Sequence, residues 1–264
     1  MTTVPYWHVD AFADRPFAGN QAAVMIFEHW PEDTVLQAIG EENNFAETAF
    51  LVPDASGASD WELRWFTPTD EIRLCGHATL AAGHILLGRE PGRAGLRFRT
   101  RRAGVLEMHR EGQGYALALP AISTAPAEWP VAVAAMGAAP VEFWRSPDQY
   151  NVFLYRSEAE VRALQPDIRA LASLGIDAFI ATAPGEDTDI VSRVFVPGAG
   201  VDEDSVTGSA HAVLTPFWAA RLGRDSFTAY QASARGGHLT CRLDGNRAWL
   251  GGRCVTIVEG TFFL

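Results

Sequence analysis

The pattern of apolar and polar positions runs through one order of elements twice. In the first pass, VPYWHVDAF and QAAVMIFE alternate and are rich in β-branched and aromatic residues, which predicts strands. Pro31 to Glu42 reads as a short helix, and Thr48 to Val52 and Trp61 to Phe66 as further strands. A turn-rich loop, TPTDEIRLCG, leads into the helical HATLAAGHILLG, and LRFRT, VLEMHR and YALALP predict three closing strands. In the second pass, Tyr150 to Tyr155 predicts a strand and Ser157 to Leu174 a helix, opened by a capping box of Ser157 and Glu160. Strands follow at Phe179 to Thr182 and Ile190 to Val196. The loop PGAGVDEDSVTG then precedes the helical SAHAVLTPFWAARLG, and SFTAYQAS, HLTCRL, RAWLGG and VTIVEG close the chain as strands.

The two loop-to-helix junctions, Gly76-His77 and Gly208-Ser209, are separated by 208 − 76 = 132 residues, half of the 264 in the chain. The repeated order around them implies a duplication. A boundary falls in the Ala- and Pro-rich stretch from Pro120 to Pro140, giving domains at 1–125 and 126–264. Both junction helices are apolar on most faces, and such a helix must be buried. With strands on either side of each, the expected fold is α+β, two pseudo-symmetric domains with a barrel-like sheet around a central helix. A layered fold with the helices on one face of a sheet fits the same pattern.

Composition narrows the chemistry. The net charge of −11 argues against nucleic-acid and anionic-membrane partners. No apolar run reaches the roughly 18–20 residues of a membrane span, and no signal-peptide pattern opens the chain. Three cysteines without a CxxC are neither a disulfide framework nor a zinc cluster, which points to a reducing cytoplasm. All the basic residues are arginine. Without lysine there is no internal Schiff base for pyridoxal phosphate and no P-loop, so proton chemistry is expected to run on side chains, with no cofactor and no metal.

Several residues could carry such chemistry. Each junction helix starts on a glycine with small or polar neighbours, Gly76-His77 and Thr207-Gly208-Ser209. Unpaired N–H groups and the helix dipole there suit an anion such as a carboxylate; plain N-capping by Thr207 or Ser209 is the alternative. Glu47, among Phe45, Ala46, Ala49 and Phe50, is a candidate acid/base whose carboxyl burial would push upward, or a strand-end residue facing water. His77 is a candidate proton relay or a first-turn structural residue. Asp204, in the acidic loop DEDSVTGS, reads when taken by itself as a solvated turn residue. Cys75 at a helix start is a candidate thiolate or a small buried residue.

The segments VDAFADRPFAGNQAAV, NFAETAFL, RWFTPTDEIRLCGHATLAAG and DSVTGSAHAVL, in this order, resemble the signature of the PhzF family, from about Val9 to the C-terminus. That family belongs with diaminopimelate epimerase among duplicated barrel-around-helix folds. The resemblance implies an isomerase with its site in the cleft between two domains, acting on a small carboxylate-bearing metabolite, and a homodimer. It implies that Glu47 is the catalytic glutamate, that His77 and Asp204 contact substrate or help proton movement, that Gly76, Gly208 and Ser209 bind its polar groups, and that Asn20 lies near the cleft. Diaminopimelate epimerase carries a cysteine at each helix start. Here Cys75 fills one position and Thr207 the other, so two-thiol inversion of an amino acid does not fit. An epimerase or dehydratase using Cys75, and a noncatalytic binding protein, remain the other readings.

Overall fold

The computed structural model describes residues 2–264. The chain divides into two compact units, Met1–Leu119 with Gly251–Leu264, and Pro120–Leu250. The first contains β1 (Thr3–Ala11), β2 (Asn20–Ile26), α1 (Asp33–Asn43), β3 (Glu47–Pro53), β4 (Trp61–Phe66), β5 (Glu71–Ile72), α2 (Gly76–Arg89), β6 (Gly95–Thr100), β7 (Val105–Glu111) and β8 (Gly114–Pro120). The second begins with β9 (Ala125–Pro126), α3 (Pro130–Ala135), β10 (Glu142–Arg145), β11 (Tyr150–Leu154), α4 (Glu158–Ala163) and α5 (Ile168–Ser173). It continues with β12 (Ala178–Pro184), β13 (Ile190–Val196), β14 (Val201–Asp204), α6 (Gly208–Leu222), β15 (Ser226–Gln231), β16 (Gly237–Asp244) and β17 (Arg247–Gly252). The last strand is β18 (Cys254–Phe263).

Both units are α+β, each a barrel-like sheet around a central helix, and both follow one recipe. Parallel pairs β2–β3 and β4–β6 recur as β11–β12 and β13–β15. Antiparallel pairs β3–β4 and β6–β7 recur as β12–β13 and β15–β16. A parallel pair needs a crossover; α1 and α2 supply it in the first unit, α4–α5 and α6 in the second.

The crossovers lie on different sides of the sheets. Helix α1 is amphipathic: Leu36 and Ile39 pack with Val4, Met25, Phe50 and Phe66 on the outside of the first sheet. Helix α2 is enclosed. Apart from His84, every residue from Gly76 to Leu87 is buried, against β1, β2, β3, β6 and β18. Its Gly83 faces the Met108 side chain so closely that a Cβ would collide with the sulfur. Helix α6 is enclosed in the same way. Trp218 donates to Thr182 Oγ1 at 3.0 Å, and the Ile122 N–H donates to Ala212 O at 3.1 Å.

Three local readings differ from the structure. The helix expected over Ser157 to Leu174 is two short helices, because Pro166 disfavours helical geometry at Gln165 and the chain is already extended at Leu164 (ψ 134°). The capping box is half formed: Ser157 Oγ accepts from the Glu160 N–H at 3.3 Å, but Glu160 reaches the N–H of Arg156, one residue further out. The final strand joins the first unit rather than the second. β18 lies antiparallel to β1 from Thr3–Phe263 to Ala11–Cys254, a long-range pairing that element order cannot reveal.

The turn before α2 is braced from below. Arg64, on β4 and 2% exposed, donates through Nε and Nη2 to both carboxylate oxygens of Glu71, each at 2.8 Å, and through Nη1 to Asp33 at 2.8 Å. Its guanidinium lies 5.1 Å from the Trp30 ring centre and 5.0 Å from that of Phe66. Truncating one partner of a buried pair strands the other charge. Arg64→Met should cost roughly 3 kcal/mol in a denaturant titration. Arg64→Lys should recover only part, because an ammonium cannot grip a carboxylate at two points. A change below about 0.5 kcal/mol in Arg64→Met would remove Arg64 from the brace.

Candidate active site

Three chain segments meet where α2 begins. The first is the turn from β1 into β2. Gly19 has φ +64°, and a Cβ there would strike the carbonyl oxygen of Ala11. Only glycine makes that turn without strain, and it sets Asn20 opposite Ala11 at the start of β2. The second segment leaves α1 through Asn44 in the left-handed conformation (φ 50°), whose N–H donates to Gly40 O. It is fixed by Phe45 stacked on His8 at 4.4 Å and by Asn43 Nδ2 donating to Thr48 Oγ1 at 3.0 Å. Glu47 then opens β3, in parallel register with Ala22 of β2. The third segment is the start of α2 itself, Cys75-Gly76-His77.

The result is a compact polar cluster. Glu47 Oε2 lies 3.0 Å from His77 Nε2. The Asn20 amide nitrogen is 3.2 Å and the Cys75 sulfur 3.5 Å from His77 Nδ1. His77 and Asn20 are buried, and the Glu47 side chain keeps 16% of its surface exposed. Burial pulls the His77 imidazole towards neutrality, while the Cys75 sulfur and the Glu47 carboxylate favour the cation; the net effect holds its pKa well above 6.5. Burial pushes the Cys75 thiol up to about 11, so it is protonated at neutral pH. The His77 imidazolium is therefore sustained by the Cys75 sulfur and the Glu47 carboxylate together, against burial. Asn20 serves either state: its amino group can donate to a neutral Nδ1, and a half-turn of the amide presents the carbonyl to a protonated one.

Two expectations change here. Cys75 is not the low-pKa thiolate that a helix N-terminus could produce, because full burial outweighs the dipole. Glu47 does not sit in purely apolar surroundings, because an imidazole faces it. Glu47, Cys75 and His77 also place an oxygen, a sulfur and a nitrogen within 4.8 Å of one another, a set that could ligate a metal. The imidazole stands between the other two, with Nε2 towards the carboxylate and Nδ1 towards the sulfur, and one ion cannot lie along both ring nitrogens. The cluster suits proton exchange better than a closed metal shell.

The second unit builds a different cluster at the matching place. Thr207 Oγ1 donates to Asp204 Oδ2 at 2.6 Å, so Thr207 does not cap α6 with its side chain. The fully buried Gln231 accepts from the Thr207 N–H at 2.8 Å and donates to Asp204 O at 2.7 Å and Thr207 Oγ1 at 3.2 Å. His211 Nδ1 lies 2.9 Å from Thr207 O and Nε2 3.4 Å from Ser192 Oγ. Burial pushes the His211 pKa down to about 4, so the neutral ring donates to the carbonyl and accepts from the serine. Thr79 does the same for α2, donating to Cys75 O at 2.5 Å. Gly208 is buried and Ser209 half-buried at the helix start.

Gln231 and His211 were not picked out from sequence. Gln231 left a signal: it follows Phe227 and Ala229 on the inward side of an alternating strand, where a polar residue must be hydrogen-bonded. His211 gave no such sign inside an apolar helix. Cys241 and Cys254 lie on β16 and β18, and burial raises both thiols, Cys241 to about 12.

Comparison with known proteins places this geometry. The profile described as phenazine biosynthesis-like protein, PhzC-PhzF, matches residues 9–260. An uncharacterized isomerase of Pseudomonas aeruginosa is 46% identical over 97% of each chain. The phenazine biosynthesis-like domain-containing protein 2 of Mus musculus is 36% identical over 98% of each. The crystal structure of a PhzF-family phenazine biosynthesis protein from Enterococcus faecalis matches with a TM-score of 0.91 at 38% identity, covering 100% of both chains. A hydroxyproline epimerase from Agrobacterium vitis, 14% identical with a TM-score of 0.64 over 98% of this chain and 92% of its own, shares the fold. The chain belongs to the PhzF family of phenazine biosynthesis-like proteins.

Proposed function

We propose that this chain is an isomerase that moves a proton between carbons of a small carboxylate-bearing metabolite, with Glu47 as both base and acid. The observation that carries this reading is the Glu47–His77 pair at 3.0 Å, the carboxylate still partly exposed and the imidazole buried behind it. Curated relatives named as isomerases support the reaction class.

Glu47 withdraws a proton from a substrate carbon. The C–H electron pair passes into the adjacent unsaturated system, and the new O–H bond forms on Glu47. His77 as the imidazolium offers positive charge beside the developing anion. Glu47 then returns the proton to a different carbon. The base, the acid and the charge are all side chains, so atoms and electrons balance without another reactant. The start of α2 supplies N–H groups and a positive dipole end for the substrate carboxylate. The duplication is chemically lopsided: β3 opens on Glu47, whereas β12 opens on Ala178. A single base fits that asymmetry, and a Cys75 thiol raised to about 11, with Thr207 in place of a cysteine before the second helix, does not fit two-base inversion.

Deuterium uptake from D2O into the carbon skeleton of turned-over carboxylates reads this step directly. Glu47→Gln should slow exchange by about 10²- to 10⁴-fold while ligand still binds, because Gln keeps the shape but cannot carry the proton. Cys75→Ser should retain most of the rate. Near-normal exchange in Glu47→Gln, or an equally deep loss in Cys75→Ser, would transfer the role to the thiol or to His77.

The rate should also fall on the alkaline side as the His77 imidazolium is lost. His77 is held well above 6.5, so that limb should lie well above pH 6.5. A rate that stays level as the His77 imidazolium is titrated away would show that it is not required, and a limb at or below 6.5 would belong to another group.

A further inference from the structure

We propose that a second copy of this chain pairs its β18 antiparallel with β18 along the edge turned away from β1, about a two-fold axis at Gly260, so that one sheet runs through both copies. The hydrogen-bond register fixes which groups lie on that edge. Thr2 and Leu264 exchange both backbone bonds, Thr2 N–H to Leu264 O at 3.0 Å and Leu264 N–H to Thr2 O at 2.8 Å. In an antiparallel ladder such pairs recur at every second residue. Phe262, Gly260 and Val258, opposite Val4, Tyr6 and His8, therefore also turn their N–H and C=O towards β1. Those of Glu259, Thr261 and Phe263 point the other way. Pro5 agrees with this phase: it lies opposite Thr261 and has no N–H to share in a hydrogen-bonded pair. Among the described residues, β18 has a ladder register with β1 alone.

The edge is open and undefended. Glu259, Gly260, Thr261 and Phe263 are exposed, and at Gly260, which has no side chain, the backbone itself is open. Val258 and Phe263 keep 45% and 63% of their surface in water. Edge strands of monomers are usually blunted by lysine, proline, charge or a bulge. This chain has no lysine, and VEGTFFL, from Val258 to Leu264, has no proline and one charged side chain, Glu259. The register shift at His8/Val9 ends the regular stretch without interrupting it.

The stretch is also complementary to itself. With a net charge of −11, two copies repel one another, so a contact between them must fall where charge is sparse. An axis at Glu259 would set that carboxylate against its own copy, and an axis at Thr261 would set it against a phenyl ring. An axis at Gly260 sets Glu259 against the partner's Thr261, a hydroxyl, and Val258 against the partner's Phe262, an apolar pair. Glu259 and Thr261 then exchange N–H···O=C bonds with the partner's Thr261 and the partner's Glu259. The two glycines meet on the axis in a non-hydrogen-bonded pair, with Cα atoms about 4.5 Å apart.

Sedimentation equilibrium reads the association. The wild type should approach twice the 28.7 kDa of one chain as its concentration rises. Thr261→Pro removes an N–H that β1 does not use, so it should weaken association at least ten-fold with the circular dichroism spectrum unchanged. Thr261→Val, which keeps the N–H, should associate like the wild type. Gly260→Cys tests the axis. A Cβ at Gly260 meets nothing within 4 Å, and roughly 4.5 Å between Cα atoms suits a disulfide, so mild oxidation should link two copies through position 260. A monomeric wild type overturns the proposal. A dimer that Thr261→Pro leaves intact, or that Gly260→Cys does not link, overturns it in favour of another interface. If Thr261→Pro fails to fold, the link through Gly260→Cys decides alone, its formation supporting the pairing and its absence in a dimer overturning it.

Discussion

An α-helix that is apolar on every side cannot lie on a surface, and much of this architecture follows from enclosing two of them. A sheet that surrounds α2 has to bring strand ends to the level of the helix start. That level is where backbone N–H groups have no partners within the helix. Asn20 and Glu47 are the first residues of β2 and β3, and His77 lies in the first turn of α2. Their meeting is a consequence of wrapping, tuned by Gly19, which turns the chain where any side chain would collide with Ala11 O.

Duplication gave both units this geometry, and their chemistry then diverged. The first pairs a buried imidazole with a carboxylate, so charge is available. The second fills the equivalent place with a His211 pushed down to about 4, a buried Gln231 and a threonine bonded to the Asp204 side chain. The first cluster is suited to moving a proton and the second to holding polar groups still. Thr79 and His211, each donating to the carbonyl of the residue before its helix, preserve a common brace beneath this difference.

Much of this was legible in the sequence, for reasons that also mark where legibility stopped. The two enclosed helices declare themselves by having no polar face, and their spacing gives the duplication. Motif resemblance singled out Glu47, His77 and Asn20, which the structure brings together, and Asp204 and Thr207, which are in mutual contact. Local rules failed where two were in competition. Hydrophobic spacing carried the helix through Pro166, where the constraint on the preceding residue breaks it. The dipole argument made Cys75 a thiolate candidate, and burial, a property of the whole unit, decided the opposite. The pairing of β18 with β1 spans nearly the full chain and leaves no local trace.

The account turns on the protonation of one buried side chain. If the Glu47 carboxylate helps to sustain the His77 imidazolium, nitrogen-15 NMR of histidine-labelled protein should find both His77 ring nitrogens protonated at pH 7, titrating well above 6.5. In Glu47→Gln one of the two groups that raise that ring is lost, and the midpoint should fall. A wild-type His77 titrating at or below 6.5, or a midpoint unmoved by Glu47→Gln, would contradict the coupling on which the proposed chemistry depends.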